Sequence, residues 1–170
     1  MRKENRFEQF REVVVSELQP LYERRGVKEK PEIWIIRGME NIASTLKEIS
    51  QKVQRELMVA LPEIPPELTP MMLPSLELLR DKRVYIRLLT TKDLIVSLER
   101  YIAQFAEIRV RQEMFGGGVV VDGKESLLFL GRSVAEEQSI AIWSDHVGLT
   151  MIAKIYFEQL WNTAEPYKIV

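Results

Sequence analysis

The eight residues Phe115-Gly116-Gly117-Gly118-Val119-Val120-Val121-Asp122, followed by Gly123-Lys124, resemble in spacing a known His-x-Lys-x-x-x-x-Asp strand motif of phosphoryl-transfer enzymes. In that chemistry a His-x-Lys-x-x-x-x-Asp spacing lets an imidazole attack phosphorus while an ammonium neutralises charge gathering on the phosphoryl oxygens. Aligned on Asp122, Phe115 stands in the histidine's place and Gly117 in the lysine's. A phenyl ring is no nucleophile and glycine carries no charge, so phosphodiester hydrolysis is not expected. The triple glycine has two readings: a backbone that a ligand or anion can approach, or a bulge or turn with unusual dihedrals at a strand entrance. Asp122, without its partners, reads as a turn residue before Gly123.

The other residues able to do chemistry are few. His146 is the sole histidine and follows Ser144-Asp145 at a predicted helix start. Local positive potential there disfavours a charged imidazole, and no nucleophile motif accompanies it, which favours a surface or capping role. With one His and no Cys, only carboxylates remain as metal ligands, and none cluster as in a calcium loop. No metal and no cofactor is expected. Met71-Met72 could line an adaptable lid over an apolar ligand or fill a gap in the core. Glu40 and Asn41 could hydrogen-bond an effector, although an acid in a first helical turn is also expected from the helix dipole alone.

The elements that must position these residues follow from hydrophobic periodicity. Phe7, Phe10, Val14, Leu18 and Leu21 form a helical stripe, ended by the polar connector Arg24 to Pro31. Residues 1–30 therefore read as a helix and connector standing before a main domain of residues 31–170. The stripe needs a cover, either that domain or a second chain. The main domain opens with the apolar strand Ile33 to Ile36 and a helix with the stripe Met39, Ile42, Leu46, Ile49 and Val53. Next comes the continuous apolar strand Leu57 to Leu61, which completes a β-α-β unit. Pro62 to Pro74 holds five prolines and reads as a loop with at most a short helical piece before Ser75 to Arg80. A strand from Val84 to Leu89, a helix capped by Thr91 and bearing Leu94, Ile95, Leu98, Ile102 and Phe105, and a strand at Ile108 to Arg111 repeat the alternation. After the glycines come short strands at Val119 to Val121, Leu127 to Leu130 and Ile140 to Trp143, with Asp122-Gly123 a hairpin signal. A last helix runs from about Val147 to Trp161, capped by Ser144 or Asp145. The fold class is α/β: a mixed sheet, parallel through its first strands and antiparallel near the end, with helices on both faces.

Composition narrows the partners. The 170 residues carry 24 basic and 25 acidic side chains, so the chain has no excess positive field for a nucleic acid backbone. No apolar run approaches the ~20 residues of a bilayer span, and the amino terminus has no apolar segment of a secretory signal. The lack of cysteine makes a cytoplasmic setting the default.

Against this frame, Ile33-Trp34-Ile35-Ile36-Arg37-Gly38-Met39-Glu40-Asn41-Ile42 resembles the Trp-x-Ile-x-Gly-x-Glu-Asn-Ile opening of the effector domain in the TrmB family of archaeal transcription regulators. Glu56 to Leu61 is similar to that family's second strand, Val119 to Lys124 to its degenerate phospholipase D-like strand, and Phe157 to Trp161 to its closing helix. The resemblance implies a phospholipase D-like effector domain, and Phe7 to Leu21 resembles the linker helix through which members dimerise. It implies a homodimer responding to a small-molecule effector, with promoter DNA held by a winged helix that is not among these 170 residues. The β-rich segment of sugar-responsive members is not matched either, so no sugar is implied. Two alternatives stand beside it: a residual phosphodiesterase or nucleotide-handling enzyme, and a purely structural dimerisation module.

Ligands of open α/β sheets gather outside the carboxyl ends of parallel strands. The effector is accordingly expected in a cleft bordered by Arg37 and Glu40 after the first strand, Thr90 and Thr91 after the third, and Phe115, Gly116 and Gly117 at the degenerate motif.

Overall fold

The computed structural model describes residues 30–63, 69–94, 102–114, 116–131 and 139–168, together with Gln9, Arg11 and Glu12. The chain falls into two compact units, Met1–Glu32 and Ile33–Val170. In the first, Gln9, Arg11 and Glu12 are helical and exposed. The stripe Phe7, Phe10, Val14, Leu18 and Leu21 lies outside the described residues, as do Phe115 and Ile95 to Tyr101.

The second unit is one eight-stranded mixed sheet. In chain order the elements are β1 (Ile33–Arg37), α1 (Met39–Lys52), β2 (Glu56–Leu61), α2 (Thr69–Asp81), β3 (Tyr85–Thr91), β4 (Ala106–Arg111), β5 (Gly117–Val121), β6 (Glu125–Leu130), β7 (Ile140–Ser144), α3 (Val147–Asn162) and β8 (Glu165–Pro166). Across the sheet the order is β1-β7-β6-β5-β2-β3-β4-β8. β2, β3 and β4 pair in parallel, whereas β5, β6 and β7 form an antiparallel meander on β2.

Alternation along the central strands builds two cores. Leu57, Val119, Val121, Leu127 and Phe129 face α1 and α2 with Ile42 and Ile49, while Met58, Ala60, Leu89 and Val120 face α3 with Ala153, Phe157 and Trp161. The α1 stripe read from the sequence is therefore the buried one: Ile42, Ile49 and Val53 are almost wholly enclosed.

Three expectations change. β1 is not the neighbour of β2: it pairs antiparallel with β7 at the far edge, three strands from β5 and four from β2. The two strands run in the same direction, as a β-α-β unit requires, but three strands lie between them, since an apolar run says nothing about which strand will be its neighbour. The proline-rich stretch contains a full helix, α2, beginning at Thr69 with Pro74 inside it. Pro70 is the helix's second residue, where a missing N–H costs nothing, and Pro74 removes a single internal hydrogen bond. The third correction is the cap of α3: the N-cap is His146, neither Ser144 nor Asp145.

Strand directions bring the ends together. The carboxyl ends of β1 to β4 and β6, and the amino ends of β5 and β7, lie on one side of the sheet, as their registers require. The Asp122-Gly123 turn lies on the opposite side.

Candidate functional site at the degenerate motif

The start of β5 is a floor of bare backbone. Gly116 has a φ of 67°, a conformation L side chains rarely adopt. Gly117 and Gly118 are glycines because of close approach: a Cβ on Gly117 would lie 2.2 Å from the Ala60 carbonyl oxygen, and one on Gly118 would lie 2.6 Å from that of Leu127. The place of the catalytic lysine is thus closed by β2, and no side chain enters it without moving the strand.

On the α3 side of this floor lies a cavity of about 390 Å³. Its walls are Met58 and Ala60 of β2, Leu128 and Leu130 of β6, and Tyr156, Phe157 and Leu160 of α3, with Met114 and Gly116 to Gly118 at its base. Among the described residues no charged side chain lines it. Its volume falls in the range of small-molecule pockets, roughly 300–1,000 Å³. A second cavity, between α1, α2 and the sheet, offers only about 90 Å³ and is lined by core residues including Leu57, Val59, Met72 and Phe129. Met72 there packs against the core.

The residues expected to border one cleft are not gathered in one. Gly116 and Gly117 line the larger cavity. Arg37 ends β1, exposed, three strands from β5, or roughly 14 Å at ~4.8 Å a step. Glu40 is exposed in the first turn of α1. Asn41 turns its side-chain amide back to the Arg37 carbonyl at 2.8 Å. Thr90 is 0% exposed and donates its hydroxyl to the Leu61 carbonyl at 2.8 Å, and Thr91 donates to that of Pro62 at 3.2 Å. Both threonines hold the segment leaving β2. Arg37, Glu40, Thr90 and Thr91 line neither cavity. Among the cavity residues missed in the sequence are Leu130 and the α3 positions Tyr156, Phe157 and Leu160. Their signal was the run Met151-Ile152-Ala153-Lys154-Ile155-Tyr156-Phe157, apolar on every side of a helix but for one lysine.

The other end of the motif keeps its carboxylate and employs it structurally. Val121 to Lys124 form a tight turn with φ of 51° at Asp122 and 66° at Gly123, closed by the Lys124 N–H on the Val121 carbonyl at 2.9 Å. Asp122 is more than a turn residue: its carboxylate accepts from the N–H groups of Gln54 at 3.0 Å, Arg55 at 2.8 Å and Glu56 at 2.9 Å. Burial pushes this carboxyl up, but the three backbone donors outweigh it and hold Asp122 below the usual aspartate range. His146 caps α3 through Nδ1, which accepts from the N–H groups of Gly148 at 3.1 Å and Leu149 at 3.4 Å.

Arginines of the parallel strands fix α3, the cavity's wall. Arg87 makes a forked pair with Glu158 at 2.7 and 3.0 Å. Arg109 donates to the Trp161 carbonyl at 2.9 Å and lies 4.6 Å from that indole's centroid, while Arg111 reaches the Leu160 carbonyl at 3.1 Å. Cations at the helix's carboxyl end suit its dipole. The fork to Arg87 holds Glu158 below the usual glutamate range. Among the described residues no group of carboxylates or histidine suits a metal ion, and no helix is long and apolar enough to cross a membrane.

No curated protein matches the chain. Solved structures do. TrmBL2, described as an archaeal chromatin protein with a novel mode of DNA binding, matches with a TM-score of 0.64 and 19% identity over 98% of this chain and 64% of that one. The chain thus spans under two thirds of TrmBL2. NucT from Helicobacter pylori matches with a TM-score of 0.67 and 7% identity over 81% of this chain and 100% of its own. Nuc, a phospholipase D family member from Salmonella typhimurium, gives 0.66 and 11% over 82% and 100%. The fold is phospholipase D-like. A family model, "Transcriptional regulator TrmB, EBD N-terminal subdomain", matches residues 32–168. Residues 32–168 carry the whole sheet, the degenerate strand and α3, and on that match the chain belongs to the TrmB family of transcriptional regulators.

Proposed function

We propose that the chain is the effector-binding and dimerisation domain of a TrmB-like transcription regulator, that it hydrolyses no phosphodiester, and that its effector occupies the cavity over Gly116 to Gly118. One observation carries this reading: where phospholipase D chemistry needs a histidine and a lysine, the sequence has Phe115 and Gly117, and over Gly117 lies a cavity of about 390 Å³ whose described lining carries no charge. The described lining is apolar and suits a largely apolar, uncharged molecule. DNA is held by parts of the regulator other than residues 32–168, consistent with a net charge of −1. Residues 1–30 supply a linker helix whose stripe Phe7, Phe10, Val14, Leu18 and Leu21 joins two copies in the cytoplasm, and residues 31–170 form the effector domain. Effector bound between α3 and β5 shifts the equilibrium between arrangements of two subunits, by as much as its affinities for them differ.

The test is a thermal-shift screen of uncharged apolar compounds beside organic phosphates. Stabilisation by an apolar compound, lost in Leu160→Trp and kept in Arg37→Ala, supports the reading. A hit confined to phosphates, or one lost in Arg37→Ala and kept in Leu160→Trp, contradicts it.

A further inference from the structure

α3 is apolar on two sides. Its inner stripe, Thr150, Ala153, Phe157 and Trp161, is buried on the sheet, and its charged flank is already engaged, Lys154 with Glu56 and Glu158 with Arg87. The outward side carries Met151, Ile152, Ile155 and Tyr156 at 48%, 67%, 60% and 54% exposure. A helix apolar all round belongs in an interior. The patch does not stop at the helix. Tyr156 and Leu130, the latter 53% exposed, share the mouth of the cavity. From β6 the same sheet face runs outward in register, Leu128 beside Ile142 beside Ile35, to the exposed edge strand β1.

We infer that this face is an interface between two copies of the chain, with α3 of one protomer against α3 of its partner. Large aliphatic side chains carry about 100 Å² each, so the half-exposed set presents on the order of 400–500 Å² of apolar surface. A standard interface of about 800 Å² a side, roughly 60% apolar, needs about that much. Net charge-free surfaces are complementary to themselves, which an isologous contact requires. Among the described residues the charges near the patch are few: Lys154 and Glu158 on α3 are paired within the chain, and Arg37 stands at the far edge on β1, which gives a nucleic acid or an anionic bilayer little to hold. The contact also roofs the cavity, since Leu130 and Tyr156 belong to both, so ligand and partner meet at one surface.

The full chain lacks cysteine, so a single introduced thiol reports on one position. Sedimentation equilibrium of Ile152→Glu/Ile155→Glu should show the association constant lowered about a hundredfold or more, with circular dichroism and low-concentration melting as in the parent. A short bis-maleimide should cross-link Ile155→Cys into dimers and leave Lys47→Cys, on the opposite face of the sheet, monomeric. A parent chain that is monomeric, association unmoved by the double variant, or cross-linking equal at both positions would overturn the interface. Phe10→Glu/Val14→Glu, assayed alongside, tests the linker helix separately, so failure of that contact is distinguishable from failure of this one.

Discussion

The two ends of β5 align with the two ends of one sequence pattern and differ in what they keep. At its start the groups of the reaction are gone and the backbone has closed in, with Gly117 and Gly118 pressed against the carbonyls of Ala60 and Leu127. At its finish the carboxylate persists, turned onto three backbone N–H groups at the entrance of β2. The difference shows a carboxylate with a structural use of its own: Asp122 satisfies three backbone donors that would otherwise be unpaired, whereas the described contacts at Gly117 and Gly118 call for no side chain at all.

The largest effect should come from disturbing the closed end. Gly117→Ala places a methyl within contact of the Ala60 carbonyl, and urea denaturation should register about 3 kcal/mol of destabilisation. A loss below ~1 kcal/mol would mean the strand has room, and the account of the missing lysine would be wrong. Asp122→Ala leaves three amides unpaired and should cost about 2 kcal/mol, while Asp122→Asn, which keeps an acceptor and tolerates the positive φ, should cost less.

Acid should expose the same asymmetry. Asp122 and Glu158 both sit below their ordinary ranges, so their contribution is fully present above the unfolded pKa values of about 4 and is lost as pH falls through the folded ones. Melting temperature should drop between about pH 4 and pH 2, with a shallower slope in Asp122→Asn and Glu158→Gln. An unchanged slope in both variants would deny these carboxylates that role. The smallest effect is expected at Thr90→Val, where one buried hydrogen bond to Leu61 is lost for about 1 kcal/mol. Ligand affinity should be unmoved there, because Thr90 lines neither cavity.

Legibility in the sequence followed the range of the interaction. Asp122-Gly123 announced its turn because two adjacent residues with positive φ suffice to specify it. The α1 stripe announced its buried face because helical period is local. The place of β1 did not show, since pairing with β7 joins residues about a hundred positions apart. The α2 prolines misled because a proline near a helix start costs little, while the capping role read for His146 holds and displaces Ser144 and Asp145, since its imidazole accepts two amides as a serine or aspartate would. Of the residues expected to border one cleft, Gly116 and Gly117 line the larger cavity, Phe115 lies outside the described residues, and Arg37, Glu40, Thr90 and Thr91 were grouped with them because strand ends alone give no lateral distance.

The central claim is that the phospholipase D-like fold here no longer performs its reaction, and hydrolysis of a chromogenic phosphodiester by the purified chain tests it most directly. The rate should equal that of buffer, both in the parent and in Phe115→His/Gly117→Lys, because the restored lysine has no place to stand. A parent rate that survives repurification and falls in His146→Ala or Asp122→Asn would contradict the account.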